Sequence, residues 1–259
     1  MNISVIFVLT KNVFKEVIRD RIFYIIGFYI VILGIIFLLL PEFAASTEDK
    51  MFPDFALATI HILGLIVAIF VGTGMINKEI DKRTILMLIS KPVSRSEFII
   101  GKYLGLSSVL AALVFLMIGI FIGFLEYGKI SYSLASITIF YLFLILELSV
   151  ITAVSISLSI FTSSLLATAL TFAVYLVGNI SQELLEIGRQ SRNLGIERLT
   201  QAVYFIVPDL SRLNLKNDVL YGLQALPDFS SLTTNALYTL LYCVMLLAIA
   251  IMIFTQKEF

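Results

Sequence analysis

Residues 22–40 carry no charge, four more stretches repeat the pattern, and a fifth departs from it by one acid. A helix that crosses a bilayer needs about 20 mostly apolar residues. Residues 55–76 and 103–125 reach that length without a charge, the second entered through Lys102, and 229–256 does so near the C-terminus. From 130 to 180 only Glu147 is charged. That run is too long for one crossing and fits two, with a break at the polar patch Phe161-Thr162-Ser163-Ser164. Hydrophobic residues make up 59% of the chain and charged residues 14%, against about 45–50% and 25% in soluble domains. A mean hydropathy of +1.02 leaves little room for a soluble domain. The expected fold class is all-α, a polytopic membrane protein with six transmembrane helices at 22–40, 55–76, 98–125, 134–160, 165–180 and 232–255. All belong to a single transmembrane domain over 1–259.

Lys/Arg bias in the short flanks orients the spans. The segment before the first span holds Lys11, Lys15, Arg19 and Arg21, and the stretch between spans two and three holds Lys78, Lys82, Arg83, Lys91 and Arg95. Stretch 41–54 has only Lys50 against Glu42, Glu48, Asp49 and Asp54, and the turn after span three has only Lys129. Both termini are therefore expected in the cytoplasm and 181–228 outside. The basic residues of 181–228 do not overturn this, because long loops translocate largely regardless of charge. A cleavable leader is not expected, since 22–40 exceeds the 7–15-residue apolar core of one.

Two pieces outside the spans have a readable pattern. Residues 5–21 are amphipathic at helical spacing, with Leu9, Val13, Phe14, Val17 and Ile18 on one face and Lys11, Lys15 and Arg19 on another. Such a helix either lies in the headgroup layer as an elbow, the favoured reading, or extends span one into the cytosol. Residues 79–90 form a second short helix, ended by Pro92 because the residue before proline avoids helical geometry. Ser94-Arg95-Ser96-Glu97 then reads as a capping box opening span three. The proline turn thus joins a cytoplasmic helix directly to a transmembrane one, so that moving one moves the other. An ordinary long loop on the membrane surface is the competing reading.

These residues carry a resemblance. Glu79-Ile80-Asp81-Lys82-Arg83-Thr84, then Leu86-Met87-Leu88-Ile89-Ser90-Lys91-Pro92-Val93-Ser94-Arg95, then Gly101-Lys102, is similar to the signature of the type-two exporter permeases of ATP-binding-cassette (ABC) transporters. Arg83 stands where glycine is common. The segment 208–215 also resembles one in the branch linked to copper-enzyme maturation and gliding. The resemblance implies a multi-pass protein of a bacterial-type plasma membrane that forms a homodimer, or a heterodimer with a second permease. Each copy docks a cytoplasmic ABC ATPase subunit, which holds ATP and Mg; this chain itself holds no cofactor, metal or catalytic residue. It implies that 79–90 is the coupling helix, with Glu79, Asp81, Lys82, Arg83, Thr84, Leu86, Leu88, Pro92 and Arg95 as the ATPase-coupling residues.

The residues exclude other chemistries. There is no G-x-x-x-x-G-K-[ST] string, and Gly72-Thr73-Gly74 is a lone Gly-x-Gly better read as close helix packing. The single Cys243 rules out an internal disulfide, and the single His61 rules out a multi-histidine metal site; His61 reads as a polar contact inside the bundle. No nucleic-acid partner is expected. Glu147 lies deep in a span, where an unpaired charge facing lipid costs about 2.5–3.5 kcal/mol. It faces the bundle or a cleft, either as a transport or gate residue or as a hydrogen-bond partner of a neighbouring helix. Gly101, Gly105, Ser108, Ala112, Gly119 and Gly123 form a small-residue stripe along span three, and Gly64, Ala68 and Gly72 one along span two; packing within one subunit accounts for both better than a dimer seam. The outer segment suits re-entrant or interfacial helices, lining an exit or docking an extracytoplasmic partner. Three functions are weighed. The first is the permease of an ABC exporter, the second an ATPase-independent secondary transporter or channel. The third is a membrane scaffold that relays ATP-driven motion to an outer partner.

Overall fold

A computed structural model of the chain describes residues 2–43, 48–81, 94–191, 193–220, 222, 224 and 226–256. Those residues hold ten α-helices and no strand: α1 Ile3–Val17, α2 Phe23–Phe43, α3 Glu48–Asp81, α4 Arg95–Tyr127, α5 Leu134–Phe161, α6 Ser164–Asn179, α7 Ser181–Gln190, α8 Leu194–Ile206, α9 Lys216–Leu220 and α10 Phe229–Gln256. The chain is a multi-pass membrane protein: α2, α3, α4, α5 and α10 are each long and apolar enough to cross a bilayer. The expected span 165–180 makes a sixth crossing only together with α7, as one bent pair. It is α6, a helix of 16 residues, about 24 Å at 1.5 Å per residue and so short of a hydrocarbon core of about 30 Å. Its axis bends by 61° into α7.

The helices alternate in direction around α5. Every residue from Val150 to Ser157 is buried, as expected of a helix enclosed on all sides, and α3, α4, α6 and α10 surround it. At one end of the bundle, here the proximal end, Ile76, Phe98, Ile99, Ile156, Ile160, Ala250 and Phe254 form a separate apolar cluster. Phe98 and Phe254 stack with ring centroids 5.8 Å apart. This end gathers the start of α1, the end of α3, the start of α4 and the end of α10. The distal end holds the aromatic group Phe37, Phe52 and Phe124 and, with it, the segment 181–228.

Two boundaries move relative to the sequence reading. Helix α3 begins at Glu48, before the expected 55, and runs without a break through Glu79 to Asp81. The first residues assigned to the coupling helix, 79–81, are therefore the last turn of α3. Helix α1 leads into α2 through a π turn at Ile18–Ile22, and the residues flanking that turn keep helical backbone angles. A single added residue per turn accommodates the irregularity without ending the helix. The segment is thus joined to α2 without a non-helical break. Its apolar face is turned onto α4: Val13 and Val17 are buried while Lys11, Lys15 and Arg19 are exposed. A Cβ built on Gly101 would lie 2.7 Å from Leu9 Cβ, and one on Gly105 2.6 Å from Val13 Cβ. The pairs advance together along both chains, so α1 and the first turns of α4 run parallel in close contact.

Candidate functional site

The proximal end is built by helix-terminus chemistry. The first backbone N–H groups of a helix and its last carbonyls lack partners within the helix. Ser94 caps α4: its hydroxyl accepts from the Glu97 N–H at 3.2 Å, and the Glu97 carboxylate accepts from the Ser94 N–H at 3.0 Å. The other Glu97 oxygen accepts from the backbone N–H of Asn2, the N-cap of α1. One buried carboxylate thus satisfies the N-termini of two helices. Arg95 does the reverse for α10, donating to the carbonyls of Phe254 and Thr255 at 2.8 and 3.0 Å. Its guanidinium also lies 6.0 Å from the centre of the Phe254 ring. Lys102 forms an ion pair with Glu79, closing the end of α3 onto α4.

Of the residues expected to couple to an ATPase, Glu79, Asp81 and Arg95 are on this end. Glu79 pairs with Lys102, Asp81 is the last residue of α3, and Arg95 holds the end of α10. Lys82, Arg83, Thr84, Leu86, Leu88 and Pro92 lie outside the described residues. Of the described ends of their segment, Ser94 caps α4 in this cluster, and Asp81 ends α3 two residues after Glu79. The capping box was legible from Ser94-x-x-Glu97. The reach of Glu97 to Asn2 and of Lys102 to Glu79 joins residues far apart in sequence, and only the α1–α4 and α3–α4 contacts create it.

A second polar feature lies inside the bundle. His61 Nε2 on α3 and Glu147 Oε1 on α5 are 3.0 Å apart, both buried. The Tyr175 ring of α6 lies 6.0 Å from the imidazole, centroid to centroid. Of the two readings of Glu147, the contact seen is the hydrogen bond to a neighbouring helix. The α3–α5 seam continues from there toward the proximal end. Ser155 and Ser159 donate to Ala68 and Thr73 carbonyls at 3.4 and 3.3 Å, and Thr73 meets Thr168 of α6 at 2.9 Å. Gly64 and Gly72 let α5 come close: added Cβ atoms would lie 2.9 Å from Leu148 and 2.1 Å from Ser155.

At the distal end a single carboxylate organises the segment after α6. Asp209 is buried and accepts from Ser211 (2.6 Å), Arg212 (2.7 Å), Gln182 (2.9 Å) and Ser181 (3.1 Å). Its own N–H donates to the Tyr238 hydroxyl of α10. Burial pushes the Asp209 carboxyl up, but the hydrogen bonds from Ser211, Gln182, Arg212 and Ser181 outweigh it and hold it below the usual carboxylate range. The Leu210 N–H donates to the Gly178 carbonyl, where the backbones come so close that a Cβ on Gly178 would lie 2.7 Å from the Pro208 carbonyl oxygen. Sequence reading marked 208–215 only by resemblance; the four donors to the carboxylate come from 181–182 and 211–212, and the Tyr238 hydroxyl that takes the backbone N–H comes from a third stretch.

No curated protein matches the chain. The model of the ABC-2 family transporter proteins matches residues 7–259, from α1 past the end of α10, and so takes in both the proximal cluster and the buried seam. An all-helical bundle of long apolar helices, with the signature 79–102 leading into α4, agrees with that match, and the chain belongs to the ABC-2 family of transporter proteins, as a membrane permease that associates with ABC ATPase subunits.

Proposed function

We propose that this permease exports its substrate in an ATP-driven cycle, with the segment 79–95 as the coupling element between the bundle and a cytoplasmic ATPase that binds ATP and Mg. Two permeases, identical or not, pair in a plasma membrane with their termini and this segment in the cytoplasm. The supporting observation is the convergence of four helix ends on one cluster. Glu79–Lys102 joins α3 to α4, Glu97 joins α4 to α1, and Arg95 joins α4 to α10. A displacement applied to 82–93 reaches all four helices at once, because packed elements move as rigid bodies rather than deforming. Lys82, Arg83, Thr84, Leu86, Leu88 and Pro92 form the docking surface in this reading, and Asp81 and Arg95 its roots.

The test is purification of the full-length permease with its ATPase, comparing the native chain with a Leu86→Asp/Leu88→Asp variant. The variant is expected to keep its melting temperature and lose the bound ATPase. If the ATPase remains bound and stimulated, the coupling role of the segment is wrong. The buried His61–Glu147 pair favours a second reading, transport without an ATPase. Transport that persists with a catalytically dead ATPase would select it.

A further inference from the structure

A cavity of about 320 Å³ opens at the distal end, between the start of α3, the end of α4, the start of α5 and α9. Its volume lies at the small end of the range for ligand pockets, about 300–1,000 Å³. The inner wall is apolar and belongs to the core: Leu57, Phe121, Leu125, Ile137 and Val219 all line it, and all are buried. The mouth is polar. Lys50 and Ser131 are exposed there, and Tyr132 and Ser133 are half-buried. Among the described lining residues Lys50 alone is charged. The cavity thus has two chemically distinct ends, a hydrocarbon pit and a cationic rim that bears hydroxyls.

The rim favours an anion. Ser133 caps α5: its hydroxyl accepts from the Ser136 N–H at 3.3 Å and keeps its own proton to donate. The N-terminus of a helix carries partial positive charge, so α5 adds to the effect of Lys50. Ser136, next in sequence to the wall residue Ile137, has a buried hydroxyl without a hydrogen-bond partner among the described residues. A buried hydroxyl left so is costly. Ser136 lies in the first turn of α5, beside the rim, where an entering oxygen acceptor relieves that cost. The wall sets the rest of the ligand. A methylene takes about the space of a water in the liquid, about 30 Å³, so the cavity holds about ten such groups. A two-chain phospholipid is too large for it, whereas one unbranched chain of that length fits and gains by leaving water.

We propose that this cavity binds the anion of a medium-chain fatty acid, with the alkyl chain against Phe121 and Leu125 and the carboxylate at the rim beside Lys50 and Ser133. Full-length protein in phosphatidylcholine nanodiscs is titrated with radiolabelled decanoate, and empty discs give the background. Saturable binding is expected, competed several-fold better by unlabelled decanoate than by decanol or decyltrimethylammonium. Lys50→Gln is expected to weaken it several-fold. Ser131→Glu is expected to abolish it and to admit decyltrimethylammonium instead. Both positions are exposed, so each variant is expected to keep the melting temperature of the native chain. Binding no greater than in empty discs overturns the proposal. Saturable binding that both variants leave unchanged also overturns it, by placing the acid elsewhere. Equal competition by all three amphiphiles does the same, because the rim would then select no charge. Loss of binding when the discs contain phosphatidylglycerol overturns it in favour of a membrane lipid as the occupant. None of these readings involves the ATPase, so the result stands apart from ATP coupling.

Discussion

Three buried acids do different work in this chain, and the difference comes from what surrounds each. Glu97 receives backbone N–H groups from two helix starts, Glu147 receives one imidazole, and Asp209 receives four side-chain donors. For Glu147 the partner is a single hydrogen bond of the kind that contributes about 0.6 kcal/mol on average within membrane bundles. Glu147→Gln retains a partner for His61 and is expected to lower stability by under about 1 kcal/mol. Glu147→Leu leaves a buried imidazole unsatisfied and is expected to cost about 1–3 kcal/mol, most of it recovered in His61→Leu/Glu147→Leu. Thermal unfolding in detergent of the native chain, His61→Leu, Glu147→Leu and the double variant checks the cycle; an additive double variant would show that the two residues do not interact. Asp209 has a pH signature. Its carboxyl is held low when folded, so its stabilisation is fully present above the unfolded value of about 3.9 and is lost as pH falls through the lower folded value. The melting-temperature gap between the native chain and Asp209→Asn is therefore expected to stay constant from neutral pH down to the ordinary carboxylate range and to close only below it.

Among the elements, α1 and α4 set the geometry of the proximal end through a contact too close for side chains. The small-residue stripe of α4 is split in two. Gly101 and Gly105 are filled by Leu9 and Val13, whereas Gly119 and Gly123 have nothing within 4 Å of an added Cβ. The halves should respond oppositely to the same substitution. Gly105→Ala is expected to cost about 1–3 kcal/mol, because α1 must shift to admit the methyl. Gly119→Ala is expected to be neutral or stabilising by up to about 1 kcal/mol, the helix-propensity difference. Equal melting temperatures for the two variants would mean that α1 does not rest on α4. The stripe itself was visible in the sequence as a repeat of small residues. Which half was filled was not, because the filling helix lies about ninety positions away, and no local pattern in α1 names its neighbour.

For the whole molecule, the consequence of the shared proximal cluster is mechanical. The rings of Phe98 and Phe254 stack 5.8 Å apart at the point where α4 meets α10. Cysteines at 98 and 254, in a Cys243→Ser background, can be bridged by a short bis-maleimide. If the proposed ATP coupling holds and α4 and α10 move as one body, bridging is expected to leave ATPase stimulation by the permease unchanged. Loss of stimulation on bridging, restored in the unbridged protein, would show that the two helices part during the cycle. The number and order of the apolar runs, the break at 161–164, the capping box at Ser94 and the amphipathic pattern of α1 were all readable along the chain. Each depends on length, periodicity or a three-residue spacing, quantities that a linear string contains. The partners of Glu97, Lys102, Glu147 and Asp209, the burial of α1 against α4 and the cavity at the distal end were settled only in three dimensions. Bilayer energetics forces apolar residues into spans whatever their neighbours are. Which polar atom meets which depends on how the spans pack, and that depends on close contacts between residues dozens of positions apart.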